Sequence, residues 1–125
     1  MTNKITGKYG EEIAKNFLIK KGYKILEMNF HYSKQSEIDI IAQKNNIIHF
    51  VEVKTRTQTL FGQPLEAITP QKLNAIYKCA RFYLSQKKLN FDKIQIDAIG
   101  ILLDKNDVKE INHIENIHYN SFSTL

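Results

Sequence analysis

Residues 37–55 read Glu37-Ile-Asp39-Ile-Ile-Ala-Gln43, then Lys44-Asn45-Asn46, then Ile47-Ile-His-Phe-Val-Glu52-Val-Lys54-Thr55. Two runs rich in isoleucine and valine flank a pair of asparagines, the pattern of two antiparallel strands joined by a tight turn. The second run is β-branched and apolar enough for a central strand. Upstream, Tyr23, Ile25, Leu26, Met28, Phe30 and Tyr32 suggest another strand, joined to Glu37–Gln43 through the polar group Ser33, Lys34, Gln35 and Ser36. Before it, Ile5, Tyr9, Ile13, Phe17 and Leu18 recur every three to four residues over 4–21, one face of a helix that Gly22 stops.

Downstream, Thr69-Pro70 is a helix start, with Thr69 as N-cap and Pro70 in the first turn. The helix is expected to run to about Lys88. Leu73, Ile76, Tyr77, Ala80, Tyr83 and Leu84 form its apolar stripe, and Lys78, Arg81, Ser85 and Lys88 lie opposite. Residues 91–103 read as a strand, and 108–114 as a further, weaker one. The expected order is α-β-β-β-α-β(-β), an α/β domain whose central mixed sheet is flanked by helices. A chain of 125 residues suits one domain spanning 1–125.

The acids inside these strands carry the chemical signal. Glu37 and Asp39 are two apart, as are Glu52 and Lys54, so each pair shares a strand face. Asp39 and Glu52 interrupt segments that otherwise read as buried sheet, and buried charges pair, bind metal or change protonation. In antiparallel neighbours Asp39 and Glu52 lie side by side, with Lys54 one step along. Two readings fit: a structural ion pair of Lys54 with Glu52 or Asp39, or a Mg²⁺ site. In the second, Asp39, Glu52 and the Val53 carbonyl hold the ion and leave positions for water and phosphate oxygens, while Lys54 serves the nucleophile or the developing charge.

Composition admits a polyanionic partner without demanding one. The net charge is +5, with 18 Lys and Arg against 13 Asp and Glu. Residues 67–91 contain Lys72, Lys78, Arg81, Lys87 and Lys88 and no acid, whereas 92–125 are net acidic. A hydrophobic fraction of 42% and a charged fraction of 25% exclude a disordered chain. The one cysteine, Cys79, excludes an internal disulfide and a Cys-rich zinc site, and packs as a small hydrophobe. Lys4, Lys8, Glu11 and Glu12 break any signal-like apolar run, and no segment is long enough to span a membrane, so the expected location is cytoplasmic.

Asp39, twelve intervening residues, then Glu52-Val53-Lys54 resembles the Asp…Glu-x-Lys core of the restriction-endonuclease-like superfamily, with the spacing of archaeal Holliday-junction resolvases. The longer text is similar to the bacterial YraN family, also called UPF0102. The similar segments are Gly10-Glu11-Glu12-x-Ala14, Gly22-Tyr23-x-Ile25-Leu26-x-x-Asn29, Glu37–Ala42, Phe50–Arg56, Phe61-Gly62-x-Pro64 and Ala67-Ile68-Thr69-x-x-Lys72. The resemblance implies a restriction-endonuclease-like fold and, by analogy, Mg²⁺- or Mn²⁺-dependent cleavage of DNA. It implies Asp39 and Glu52 as metal ligands, Lys54 as the catalytic lysine and Glu11 as an added acid from the first helix. Resolvase likeness also implies a two-fold homodimer.

Each accessory residue has a plain alternative. Glu11 either joins the site or pairs with Lys15 one turn on. Glu37 is a further catalytic acid or a surface charge beside a turn. Arg56, Lys72, Lys78, Arg81 and Lys88 are candidate nucleic-acid contacts or solvated side chains, with Lys72 placed to support phosphate binding at a helix N-terminus. His31, His49, His113 and His118 show no metal spacing and read as structural or exposed. Besides the nuclease, a nucleic-acid-binding module of the same fold without turnover and a protein-interaction domain remain consistent with the chain.

Overall fold

The computed structural model describes residues 3–34, 36–57 and 68–118, with side chains from residue 6 onward. The Phe61–Pro64 motif, Ala67, Gln35 and the side chain of Ile5 lie outside the described set. Helix α1 spans Asn3–Lys20, β1 Lys24–Ser33, β2 Ser36–Lys44, β3 Ile47–Arg56, α2 Pro70–Gln86, β4 Lys93–Asp104 and β5 Asp107–Ile114. The five strands form one sheet in chain order. β1, β2 and β3 run antiparallel, β3 and β4 are parallel through the α2 crossover, and β5 returns antiparallel to β4. The expected α/β order is observed, including the last strand.

Local chemistry sets the boundaries. Gly22, at φ +93°, ends α1 in a Schellman arrangement in which Gly22 N–H donates to Ile19 C=O and Tyr23 N–H to Leu18 C=O, both at 3.0 Å. Leu18 and Tyr23 then join the same apolar cluster. Asn45 and Asn46, both at positive φ, close the β2–β3 hairpin, and Lys105 and Asn106 do the same between β4 and β5. At α2, the Thr69 hydroxyl accepts Lys72 N–H at 3.1 Å, as a cap should. This helix ends at Gln86, so Lys88 lies beyond it, and the fourth strand starts at Lys93 rather than 91. The chain extends from Lys87, at φ −118° and ψ 135°, which removes Lys88 from the basic helical face.

The sheet separates two cores. On one side α2 contributes Leu73, Ile76, Cys79, Ala80 and Tyr83, packed on Ile38, Ile41, Ile48, Phe50 and Ile96. On the other, α1 contributes Ala14 and Leu18, packed on Ile40, Ala42, Val51, Ile99 and Ile101. Along β3 the alternation is regular. Along β2 it breaks: Ile38 and Ile41, three apart, face the same core, whereas a regular strand would put them on opposite faces. The break brackets Asp39, and the pairing of β2 with β3 extends only to Ile40↔Val51. Among the described residues no helix is long and apolar enough to cross a membrane.

Helix α1 lies close against β3 at Gly10. A methyl group there would overlap Thr55 Oγ1 and lie 2.9 Å from Thr55 Cβ, so this contact requires glycine. Gly10→Ala is expected to destabilise the fold by about 1–3 kcal/mol through overpacking, measured by urea denaturation. Adding Thr55→Ala is expected to recover part of that loss, because it removes Oγ1 and leaves the Cβ contact. Equal stability of wild type and Gly10→Ala would refute the close approach.

Candidate metal and nucleic-acid site

The register that pairs Ile40 with Val51 and Ala42 with His49 would next place Ile38 opposite Val53. β2 has left β3 by that point. The Val53 N–H donates instead to Asp39 Oδ2 at 2.8 Å, so a side chain replaces the missing strand partner. In a strand the N–H and C=O of one residue point to the same neighbour, and the Val53 carbonyl therefore faces the same opening. Asp39 is 9% exposed. Glu52, one residue before Val53, is half-buried on the α2 side of β3.

Two further acids reach this opening. Glu11, on the turn of α1 that the Gly10–Thr55 contact holds against β3, is hydrogen-bonded by the side chain of Asn29. Asn29 takes φ +53° within β1, a left-handed conformation that asparagine tolerates better than most residues. Glu37 faces His31 across the β1–β2 pair, with 3.8 Å between Oε1 and Nε2, and its charge is felt by Glu11, Asp39 and Glu52. The structure thus places Glu11, Glu37 and Glu52 near enough to Asp39 for their charges to act on it. Glu11 does not pair with Lys15, which instead bonds Glu12 at 2.9 Å.

Burial raises Glu11, Asp39 and Glu52, and neighbouring carboxylates add to it. Burial, and then the Glu52 charge, push Asp39 up to about 8, against the opposing Val53 hydrogen bond. Glu52 is raised by burial, opposed chiefly by Lys72. Glu11 is raised by burial, opposed by the Asn29 hydrogen bond. The cation that meets Glu52 is Lys72, at 3.4 Å, from the first turn of α2. That corrects the ion-pair expectation for Lys54, which is exposed on β3 and adds a weaker favourable field at Glu52. Lys78 and Arg81 are exposed on α2, and Arg56 is half-buried at the end of β3.

A second polar cluster escaped the reading of the sequence. Asp97, wholly buried on β4, accepts His49 Nδ1 at 2.7 Å, His113 Nε2 at 2.9 Å, Gln95 Nε2 at 3.1 Å and Asn116 N–H at 3.0 Å. Burial would raise its carboxyl, but the donations from His113, His49 and Asn116 outweigh it and hold Asp97 below the usual carboxylate range. Among the described residues, the group of three or more metal-capable side chains with closely convergent donor atoms is His49, Asp97 and Glu115. The signal was present: Asp97 interrupts Ile94-Gln-Ile-Asp-Ala-Ile-Gly100 just as Asp39 interrupts β2. Asn29, an isolated amide in an apolar strand, was equally visible.

Comparison with known proteins follows the same residues. Residues 10–101 match the profile described as "Uncharacterised protein family UPF0102". A UPF0102 protein of Syntrophomonas wolfei is 46% identical over 91% of this chain and 97% of its own length. A UPF0102 protein of Clostridium novyi is 47% identical over 91% of this chain and 95% of its own, and one of Clostridioides difficile is 43% identical over 93% and 98%. The matched span begins at the Gly10 contact and closes within β4, so it contains all four crowded acids and both lysines beside them. By the extent and identity of these matches, the chain belongs to the UPF0102 family.

Proposed function

We propose that this protein is a Mg²⁺-dependent DNA endonuclease-like protein that acts on DNA structures or on repair and recombination intermediates. The observation that supports this most is the raised state of Glu11, Asp39 and Glu52 around an opening between two strands. Carboxyls held up by burial and one another are relieved by a divalent cation, and an all-oxygen donor set suits Mg²⁺ or Mn²⁺. Asp39, Glu52 and the Val53 carbonyl would hold the ion, with Glu11 and Glu37 behind them. When bound, the ion polarises a phosphate and lowers the pKa of its water.

The protein's own groups supply the rest. Lys54 stands exposed beside Glu52, free to meet a phosphate oxygen or to orient the nucleophile. Lys72 sits where the first turn of α2 presents backbone amides, and with a cation on Glu52 the lysine would be available to phosphate. Exposed Lys78 and Arg81 extend the positive surface along α2. That surface equally supports DNA binding without turnover, mostly through phosphate and with little sequence preference, since the chain has only two arginines, Arg56 and Arg81.

Branched, flapped, nicked and linear DNA incubated with the protein and Mg²⁺ or Mn²⁺ should reveal cleavage of at least one form. Asp39→Ala and Glu52→Gln are expected to lower it by at least about 100-fold, and Lys54→Ala comparably. Absence of cleavage on every substrate, or cleavage that survives Asp39→Ala, rejects the nuclease. In that case, affinity that falls steeply with salt and weakens in a Lys78→Ala, Arg81→Ala double variant would leave the binding module standing.

The raised Asp39 also sets a pH dependence with a definite sign. Its folded form holds a proton more tightly than the unfolded chain, so its contribution is fully present below about 4 and is lost as pH rises toward about 8. Stability of metal-free wild type relative to Asp39→Asn should therefore decline across that window, followed by thermal melts. Millimolar Mg²⁺ at pH 8 should raise the wild-type melting temperature and leave Asp39→Asn unmoved.

A further inference from the structure

The cluster around Asp97 lies apart from the crowded carboxylates. His49 is three residues from Glu52 on β3 and, by strand alternation, on the opposite face, with Tyr23 edge-on to its ring at 4.9 Å. Glu115 follows β5 directly, and its Oε1 lies 3.5 Å from both Tyr23 Oη and Gln95 Nε2. One donor atom from each of His49, Asp97 and Glu115 falls within 4.8 Å of the others. His49 and Glu115 border a cleft of about 200 Å³ that Gln95 and Lys44 also line.

We propose that His49, Asp97 and Glu115 form a binding site for a divalent transition cation of the zinc class. One imidazole and two carboxylates are a donor set that borderline cations accept and that Mg²⁺, which prefers oxygen and keeps its water, does not. Three protein ligands would leave a fourth position for water. Bonds of about 2.0–2.2 Å in a tetrahedron set donor atoms roughly 3.3 Å apart. His49 Nδ1 and Asp97 Oδ2, now 2.7 Å apart, need to separate by less than about 1 Å to reach that spacing.

The outer partners of such a site are already in place. His113 Nε2, Gln95 Nε2 and the Asn116 N–H all bond Asp97 and fix its carboxylate plane. Asn116 adopts φ +58°, which turns the chain after β5 so that its amide meets Asp97. Cation binding at His49 Nδ1 would displace the proton that this nitrogen now donates to Asp97. A cation here would tie β3 and β4 to the segment after β5.

The test uses Co²⁺ and Zn²⁺ alone with the full chain carrying Asp39→Asn and Glu52→Gln, and in parallel with wild type in excess Mg²⁺. One equivalent of Co²⁺ is expected to give a visible ligand-field band that Zn²⁺ abolishes. His49→Gln should remove the band, and Glu115→Gln should weaken Zn²⁺ binding about ten-fold or more in competition with a chromophoric chelator. Glu115 is exposed and its contacts are long, so that variant keeps the fold. Failure to compete for Zn²⁺ overturns the site and leaves a hydrogen-bonded network only. Binding that Glu115→Gln leaves unchanged overturns it equally.

Discussion

The hydrogen bond from Val53 N–H to Asp39 Oδ2 is the contact on which the candidate site depends. Strands β2 and β3 begin as a tight antiparallel pair at the Asn45-Asn46 turn and separate after Ile40↔Val51. Separation leaves backbone groups of β3 without their ladder partners, and in an interior such groups must be satisfied. Asp39 does this with its side chain. The bond fixes the carboxylate at the mouth of the gap, where the charges of Glu52, Glu11 and Glu37 act on it.

The two buried aspartates show how partners decide protonation. Asp39 and Asp97 both interrupt isoleucine-rich strands, and both lose solvation. Asp97 is met by two imidazoles, an amide side chain and a backbone N–H, so its charge is favoured. Asp39 has one backbone donor and three neighbouring carboxylates, so its charge is disfavoured. Burial alone does not distinguish them. Hydrogen bonds at Asp97 favour its charge, whereas the single donor at Asp39 does not offset burial and repulsion.

Much of this was legible because it rests on local chemistry. Asn45-Asn46, Gly22 and Thr69-Pro70 specify turns and caps without reference to the rest of the chain, and their elements occur where the spacing predicts. The enclosure of Asp39 and Glu52 was legible because both interrupt apolar strands. What escaped depends on contacts remote in sequence. His49 meets Asp97 across 48 positions, and histidines so placed show no ligand spacing along the chain. The pairing of Glu52 with Lys72 rather than Lys54 arises because a strand neighbour two residues away is directed to the rim, while the crossover helix brings Lys72 over the carboxylate. Gly10 matters for the same kind of reason, through a β3 side chain 45 residues distant.

The position of Lys72 connects the acidic site to the basic middle of the chain. Thr69 caps α2 by accepting the Lys72 amide, so one residue donates its N–H to the cap and extends its ammonium to Glu52. The helix N-terminus is itself a region of positive potential, which opposes a lysine there unless an acid offsets it. Glu52 provides that offset, and Lys72 in turn tempers the repulsion among the acids. A divalent cation carries twice the charge of the ammonium and competes for the same carboxylate oxygens. Its arrival would leave Lys72 and the α2 N-terminus uncompensated together, a doubly positive edge beside the proposed site. In the metal-bound form proposed above, the edge left by the displaced lysine would also attract a phosphate, so the two events would be coupled through a single side chain.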